Sequence, residues 1–182
     1  VLFAVPAEEP INLDSRKRLK KEGEIHYFGG KQQLVRLGTF DDIDIALMHH
    51  IQPGIEKKAE FTTTNAVLCK RVRFIGEASH AGATPEKGIN ALHACHVALA
   101  AINAQRETFR DEDAVRVHGI ITKGGDSPNV VPGEVCLEIY VRAKNLEALR
   151  DANDKTDRTF RAGSLGIGGS VEIETIPGSL PL

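Results

Sequence analysis

The chain has 182 residues, 41% apolar and 26% charged, with a formal net charge of -2. That length can bury the core of one domain or two small ones, and the composition excludes a disordered chain. A charge so near zero excludes a long-range field that gathers nucleic acid or an anionic membrane, and the sequence has no run of eighteen apolar residues.

The chain opens on an apolar run, residues 1–5, that reads as a buried parallel strand and runs straight into Val5-Pro6-Ala7-Glu8-Glu9. Residues 12–22 have helical character and close at Gly23, and residues 31–37 read as a second short helix closing at Gly38. The basic run of Arg16, Lys17, Arg18, Lys20 and Lys21 lacks interleaved aromatic residues and reads as a solvated helix face. Residues 44–49 form another apolar run, read as a buried strand that delivers His49 and His50 to its end. Together these elements are half of an α/β layer, with little to close it alone.

A polar stretch at residues 62–65 separates this first part from a second with a different rhythm. Residues 67–75 read as a strand. Thr84-Pro85 reads as a helix start, and Ile89, Leu92, Cys95, Leu99 and Ile102 then recur every three or four residues. Residues 115–122 read as a strand, and residues 134–142 have the cleanest period of two, with Val135, Leu137, Ile139 and Val141 on one face. Asn145 caps a second helix carrying Leu146, Leu149 and Phe160, for which Gly163 is the expected stop, and residues 171–176 supply a last strand. The expected fold is therefore α/β plus α+β: a partial α/β layer over 1–65, then a ferredoxin-like domain over 66–178. That domain is a four-stranded antiparallel sheet with two helices on one face.

Three motifs of the second part exceed what packing requires. Ser79-His80-Ala81-Gly82 puts an imidazole in a glycine-containing loop, Gly124-Gly125 leads through Asn129 into the strand at 134–142, and Arg142 ends that strand on its polar face. One titratable donor, one amide and one guanidinium suit the holding of an oxyanion and a carboxylate. In the first part, adjacent carboxylates at a strand end can diverge, one toward a cation and one toward a water. His49 and His50 would point to opposite faces of a strand, so only one reaches such a site. Cys69, Cys95 and Cys136 are an odd, widely spaced set, expected to be buried reduced thiols.

Taken in order, Pro6-Ala7-Glu8-Glu9, Phe40-Asp41-Asp42-Ile43-Asp44 with Met48-His49-His50, Ser79-His80-Ala81-Gly82 with Pro85 and Gly88-Ile89-Asn90-Ala91, and Asn129-Val130-Val131-Pro132 resemble one family. It is the aminoacylase and glutamate carboxypeptidase family of two-metal peptidases and amidohydrolases, and more narrowly the branch of aminobenzoyl-glutamate, hippurate and auxin-conjugate hydrolases. The resemblance implies a lid and dimerisation domain at 66–178, with residues 179–182 starting the return to the catalytic domain. It also implies that Glu8 is the general base, that Glu9 and His50 are metal ligands, and that His80 is a lid histidine stabilising the oxyanion in the partner subunit's site. Asn129 and Arg142 would hold the substrate. Two divalent metals, zinc or manganese, a small-molecule amide substrate and a homodimer through the lid follow as expectations, with neither nucleic acid nor membrane as a partner. The family's first metal motif and last metal histidine have no counterpart here, so the chain reads as the central piece of a cytoplasmic enzyme, inactive and without bound metal on its own. The alternative is a non-catalytic ferredoxin-like module for oligomerisation or small-ligand binding.

Overall fold

A computed structural model of the protein describes residues 2–5, 13–48 and 63–182. The chain forms two compact units, Val1–Glu60 and Phe61–Leu182.

In the first unit, α1 (Leu13–Lys21) and α2 (Gly30–Arg36) fall where the periodicity places them. Both are followed by glycines in the left-handed region, Gly23 at φ 80° and Gly38 at φ 73°, the conformation that ends a helix without Cβ strain. The Gln33 side chain accepts hydrogen bonds from the backbone of His26 (2.9 Å) and Tyr27 (3.3 Å), and the Phe3 and Phe40 rings meet at 4.8 Å. The two expected strands do not appear among the described residues. Residues 2–5 and 43–48 form no ladder among the described residues, and Leu2, Ile45 and Leu47 are 80% exposed or more. An apolar run becomes a parallel strand only when a neighbour takes its backbone groups, and no described segment of this unit does so.

The second unit contains β1 (Ala66–Ile75), β2 (Ser79–His80), α3 (Ala91–Gln105), β3 (Arg116–Lys123), β4 (Val130–Val131), β5 (Glu134–Ala143), α4 (Leu146–Ile167) and β6 (Ser170–Pro177). Four strands make an antiparallel sheet in the order β3-β5-β1-β6, the ferredoxin-like arrangement, with α3 and α4 on one face. Val135, Leu137, Ile139 and Val141 are all buried against those helices, as the period of two requires. Val72 and Phe74 of β1 join them, and the rings of Phe74 and Phe160 meet edge to face at 6.1 Å.

Both helices of this unit depart from expectation at one end. The Thr84 side chain caps nothing; Pro85–Lys87 is a single 3-10 turn, and α3 begins only after Asn90, whose side chain accepts from the backbone of Leu92 and His93. Asn145 caps α4 as expected, but α4 passes through Gly163 and stops at Gly168, which has φ 85°. Gly163 is instead where α4 crosses the small residues Ala94 and Ala98 of α3, too close for any side chain. Cys69 and Cys95 are buried as expected, whereas Cys136 is only half-buried because it lies on the face the helices leave open.

On the core face, Lys70 is fully buried and its ammonium reaches Asp157 of α4 (2.6 Å) and the Thr175 hydroxyl of β6 (2.8 Å). The opposite face carries charge pairs: Arg71 with Glu138, and Arg73 with both Glu134 and Glu172. Among the described residues, no helix is long and apolar enough to cross a membrane.

Candidate active site

His80 and Asn129 come from segments 49 residues apart in sequence that the structure brings side by side. The short strand β2 pairs antiparallel with β4, setting Ser79 opposite Val131 and His80 opposite Val130, and the backbone N–H of Ala81 donates to the carbonyl of Asn129 at 2.8 Å. The base of this loop is tied to the main sheet. Glu77 and Ile89 exchange two backbone hydrogen bonds of 2.9 Å, Gly76 donates to Gly133 (2.8 Å), and Ala91 donates to Pro132 (2.8 Å). Two glycines permit this closeness: a side chain on Gly76 would strike the Ile89 carbonyl, and one on Gly88 would strike Ser79 and Val131. The result is an exposed imidazole on a backbone held at several points, which is how a loop positions a working side chain.

The loop also orients the ring. His80 Nδ1 accepts hydrogen bonds from the backbone N–H of Gly82 (3.2 Å) and of Ala83 (3.0 Å). An Nδ1 that accepts carries no proton, so in the neutral ring the proton sits on Nε2 and faces outward as a donor. Asn129 is likewise exposed, with its backbone N–H on the Ser127 hydroxyl (3.4 Å). Beside it, Leu92, Gly124, Gly125, Asp126, Ser127, Pro128, Val130 and Pro132 bound a shallow hollow of about 440 Å³.

Arg142 is not part of this cluster. It lies about 27 Å from Glu134 along β5 at the ordinary strand rise, at the end of the sheet where β1 begins and β6 finishes. Its guanidinium stacks over the Tyr140 ring at 5.5 Å, and its buried Nε has no acceptor among the described residues. Directly opposite it on β3 stands Arg116. Sequence reasoning passed over Arg116, because only the strand register shows that two arginines face each other.

The Glu134 carboxyl is held below the usual carboxylate range, first by the hydrogen bond from Arg73 and then by that from Lys123. The Cys95 thiol is pushed up to about 11 by burial, so it is inert.

Glu8, Glu9, His49 and His50 lie outside the described residues. Among the described residues, no group of three or more His, Cys, Asp or Glu side chains is placed to hold a metal ion, so the described part of the chain does not fit a metal centre.

Residues 66–164 match the family model of the peptidase dimerisation domain. The chain is 35% identical over 147 residues to the Xaa-Arg dipeptidase of Mus musculus, an alignment covering 81% of this chain and 33% of that protein. It is 31% identical over 159 residues to one of the subunits of the p-aminobenzoyl-glutamate hydrolase of Escherichia coli, covering 82% and 32%. The solved structure of an aminobenzoyl-glutamate utilization protein from Klebsiella pneumoniae superposes with a TM-score of 0.64 at 24% identity, over 82% of this chain and 38% of that one, which establishes likeness of fold. The chain thus spans about a third of the length of the curated relatives it matches.

Proposed function

This chain belongs to the peptidase dimerisation domain family, and from that premise we propose that the intact protein is a metal-dependent amidohydrolase or peptidase acting on an N-acyl amino acid or small peptide. The observation that carries the reading is the His80 loop: a donor of fixed tautomer, exposed on a backbone tied down at several points. A fixed N–H aimed at developing negative charge is what a tetrahedral oxyanion needs, because it costs no reorganisation during reaction. His80 Nε2 supplies that hydrogen bond, and the neighbouring Asn129 amide orients the acyl carbonyl. Arg142 takes the carboxylate of the amino-acid part, for which its unsatisfied Nε–H is suited.

His80 and Arg142 sit at opposite ends of the β5 path, so one subunit's lid does not bring both to one small substrate. We therefore propose that His80 and Asn129 serve the partner's site in a homodimer. The edge strand β3 is the proposed seam, since among the described residues it has a neighbouring strand on one side only and its Ile120 is 67% exposed. Glu8 is the proposed proton acceptor, and Glu9 and His50 the proposed metal ligands. Metal dependence is general in this family. A pair of zinc or manganese ions, when bound, supplies activation of the attacking water. The test is turnover of N-acyl amino acids by the intact protein after chelation and readdition of zinc or manganese. Turnover lost and regained supports the proposal, and turnover indifferent to a chelator contradicts it.

A further inference from the structure

The alternation of backbone groups can be followed across the sheet to the free edge of β3. Val67 donates to Ser179 (2.9 Å) and accepts from Gly178 (2.9 Å), so the odd residues of β1 face the β6 side and the even ones face β5, where Ala66 lies opposite Ala143. The odd residues of β5 are thereby engaged by β1. Its even ones, Glu138, Tyr140 and Arg142, are left to bond Ile120, His118 and Arg116 of β3. Lys144 continues that pattern past the strand end by donating to Asp113 (2.9 Å). Val117, Gly119 and Ile121 therefore turn their N–H and C=O groups outward. One of these groups is already held: the Arg106 guanidinium, at the end of α3, donates to the Val117 carbonyl at 2.9 Å. Past Ile121 the pairing register shifts before Lys123, which takes Lys123 out of line with the edge. Gly119 and Ile121 remain as the regular outward pair that another strand can take.

We infer that two copies of this chain pair along β3 with Ile120 on the two-fold axis and Gly119 bonded to the partner's Ile121, and that Arg106 fixes this register. The inference rests on the reading above only for taking β3 as the seam, and the match to a dimerisation domain makes a second copy the occupant. The side chains are self-complementary in this register. On the open face Ile120, 67% exposed, meets the partner's Ile120 as a pair without mutual hydrogen bonds, the closest kind, with Cα atoms about 4.5 Å apart. On the helix face Ile121, 43% exposed, covers the partner's Gly119. That position is bare because a side chain on Gly119 would strike the Glu138 carbonyl of β5. Moving the axis onto Gly119 would require the Val117 carbonyl, which Arg106 holds, to accept from the partner's Ile121. It would also set Ile120 against the partner's His118. Moving the axis the other way would require the displaced Lys123.

The test uses the 182-residue chain, with self-association read by sedimentation and register by oxidative crosslinking, the linked peptides being identified by mass against the unaltered chain. Ile120→Cys is expected to crosslink to its own copy, because such a cross-strand pair meets the geometry of a disulfide. His118→Cys and Thr122→Cys are expected to crosslink only when mixed with each other. Ile120→Glu and Ile120→Lys, at an exposed position that leaves thermal unfolding unchanged, each remove two apolar side chains from the seam. At about tenfold for each side chain, self-association is expected to weaken about a hundredfold in either variant and to return when the two are mixed. Arg106→Ala frees the Val117 carbonyl and is expected to admit crosslinks between His118→Cys and Ile120→Cys that Arg106 excludes. Those crosslinks in the presence of Arg106, without self-crosslinking at Ile120→Cys, would overturn the register and leave β3 as the seam. Crosslinks unchanged by Arg106→Ala would overturn the part given to Arg106. A dimer in which none of these cysteines crosslinks, or a chain that stays monomeric, would overturn the seam together with the register.

Discussion

Replacing Gly163 by alanine pits two opposite effects against each other. In a helix interior, glycine to alanine gains about 1 kcal/mol from backbone entropy. At Gly163 the new Cβ would lie 2.5 Å from the Ala94 carbonyl oxygen, 2.7 Å from the Ala98 nitrogen and 2.8 Å from the Ala98 Cβ. Ordinary contacts between such atoms fall at about 3.5–4.0 Å, so α3 and α4 must separate by about 1 Å. Two of the three obstacles are backbone atoms of a helix that itself packs on the sheet, so the strain has no flexible side chain to absorb it. Overpacking of this kind costs about 1–3 kcal/mol. Gly166 is one turn further along the same helix, with no heavy atom within 4 Å of its built Cβ, and there alanine meets only the favourable term. The difference in unfolding free energy between Gly166→Ala and Gly163→Ala cancels the propensity gain and isolates the steric cost, expected at about 1–3 kcal/mol with Gly163→Ala the less stable. Urea unfolding followed by helix signal measures it. If both variants are stabilised equally, the α3–α4 contact is not as close as argued.

Asp157→Ala strands the fully buried Lys70 ammonium and is expected to cost about 3–5 kcal/mol, whereas Lys70→Met, which leaves a carboxylate able to reach water, is expected to cost less than about 1 kcal/mol. Equal losses in denaturant titrations of the two would refute that asymmetry. Glu134 has a lowered carboxyl pKa, so its ion pairs with Arg73 and Lys123 contribute stability that is present above the unfolded carboxylate value, about 4.3, and is lost as pH falls through the folded one. Glu134→Gln is therefore expected to flatten the loss of thermal stability between neutral pH and about pH 3, and an unchanged slope argues against the pairing.

Much of the dimerisation domain was legible because its strands are half-buried, and half-burial writes a period of two: Val135, Leu137, Ile139 and Val141 could be read directly, and Asn145 announced its helix. Errors came where one residue type serves two geometries. A glycine late in a helix is a stop when the chain turns left-handed, as at Gly168, and a contact point when another helix lies across it, as at Gly163. Thr84-Pro85 has the composition of a helix start, yet the chain makes one 3-10 turn there because Ile89 must first bond to Glu77. The apolar runs at residues 2–5 and 43–48 carry strand composition, but strand formation depends on a partner that local sequence does not specify. His80 was visible from its loop motif, while the protonation of its ring follows only from the backbone bonds of Gly82 and Ala83. Arg116 was invisible because its meaning lies in the register of β3 against β5. Glu8, Glu9 and His50 lie outside the described residues, and their proposed roles rest on the motifs alone.

In the proposed dimer, His80 of one subunit completes the catalytic site of the other. Subunit mixing tests it most directly: intact His80→Ala protein and intact Glu8→Gln protein are each prepared, dissociated, combined in equal amounts and assayed for hydrolysis of N-acyl amino acids. With His80 acting across the dimer, random reassembly makes half the dimers mixed with one sound site in two, so two inactive proteins together are expected to recover about a quarter of native turnover. A mixture as inactive as its parents would contradict the account.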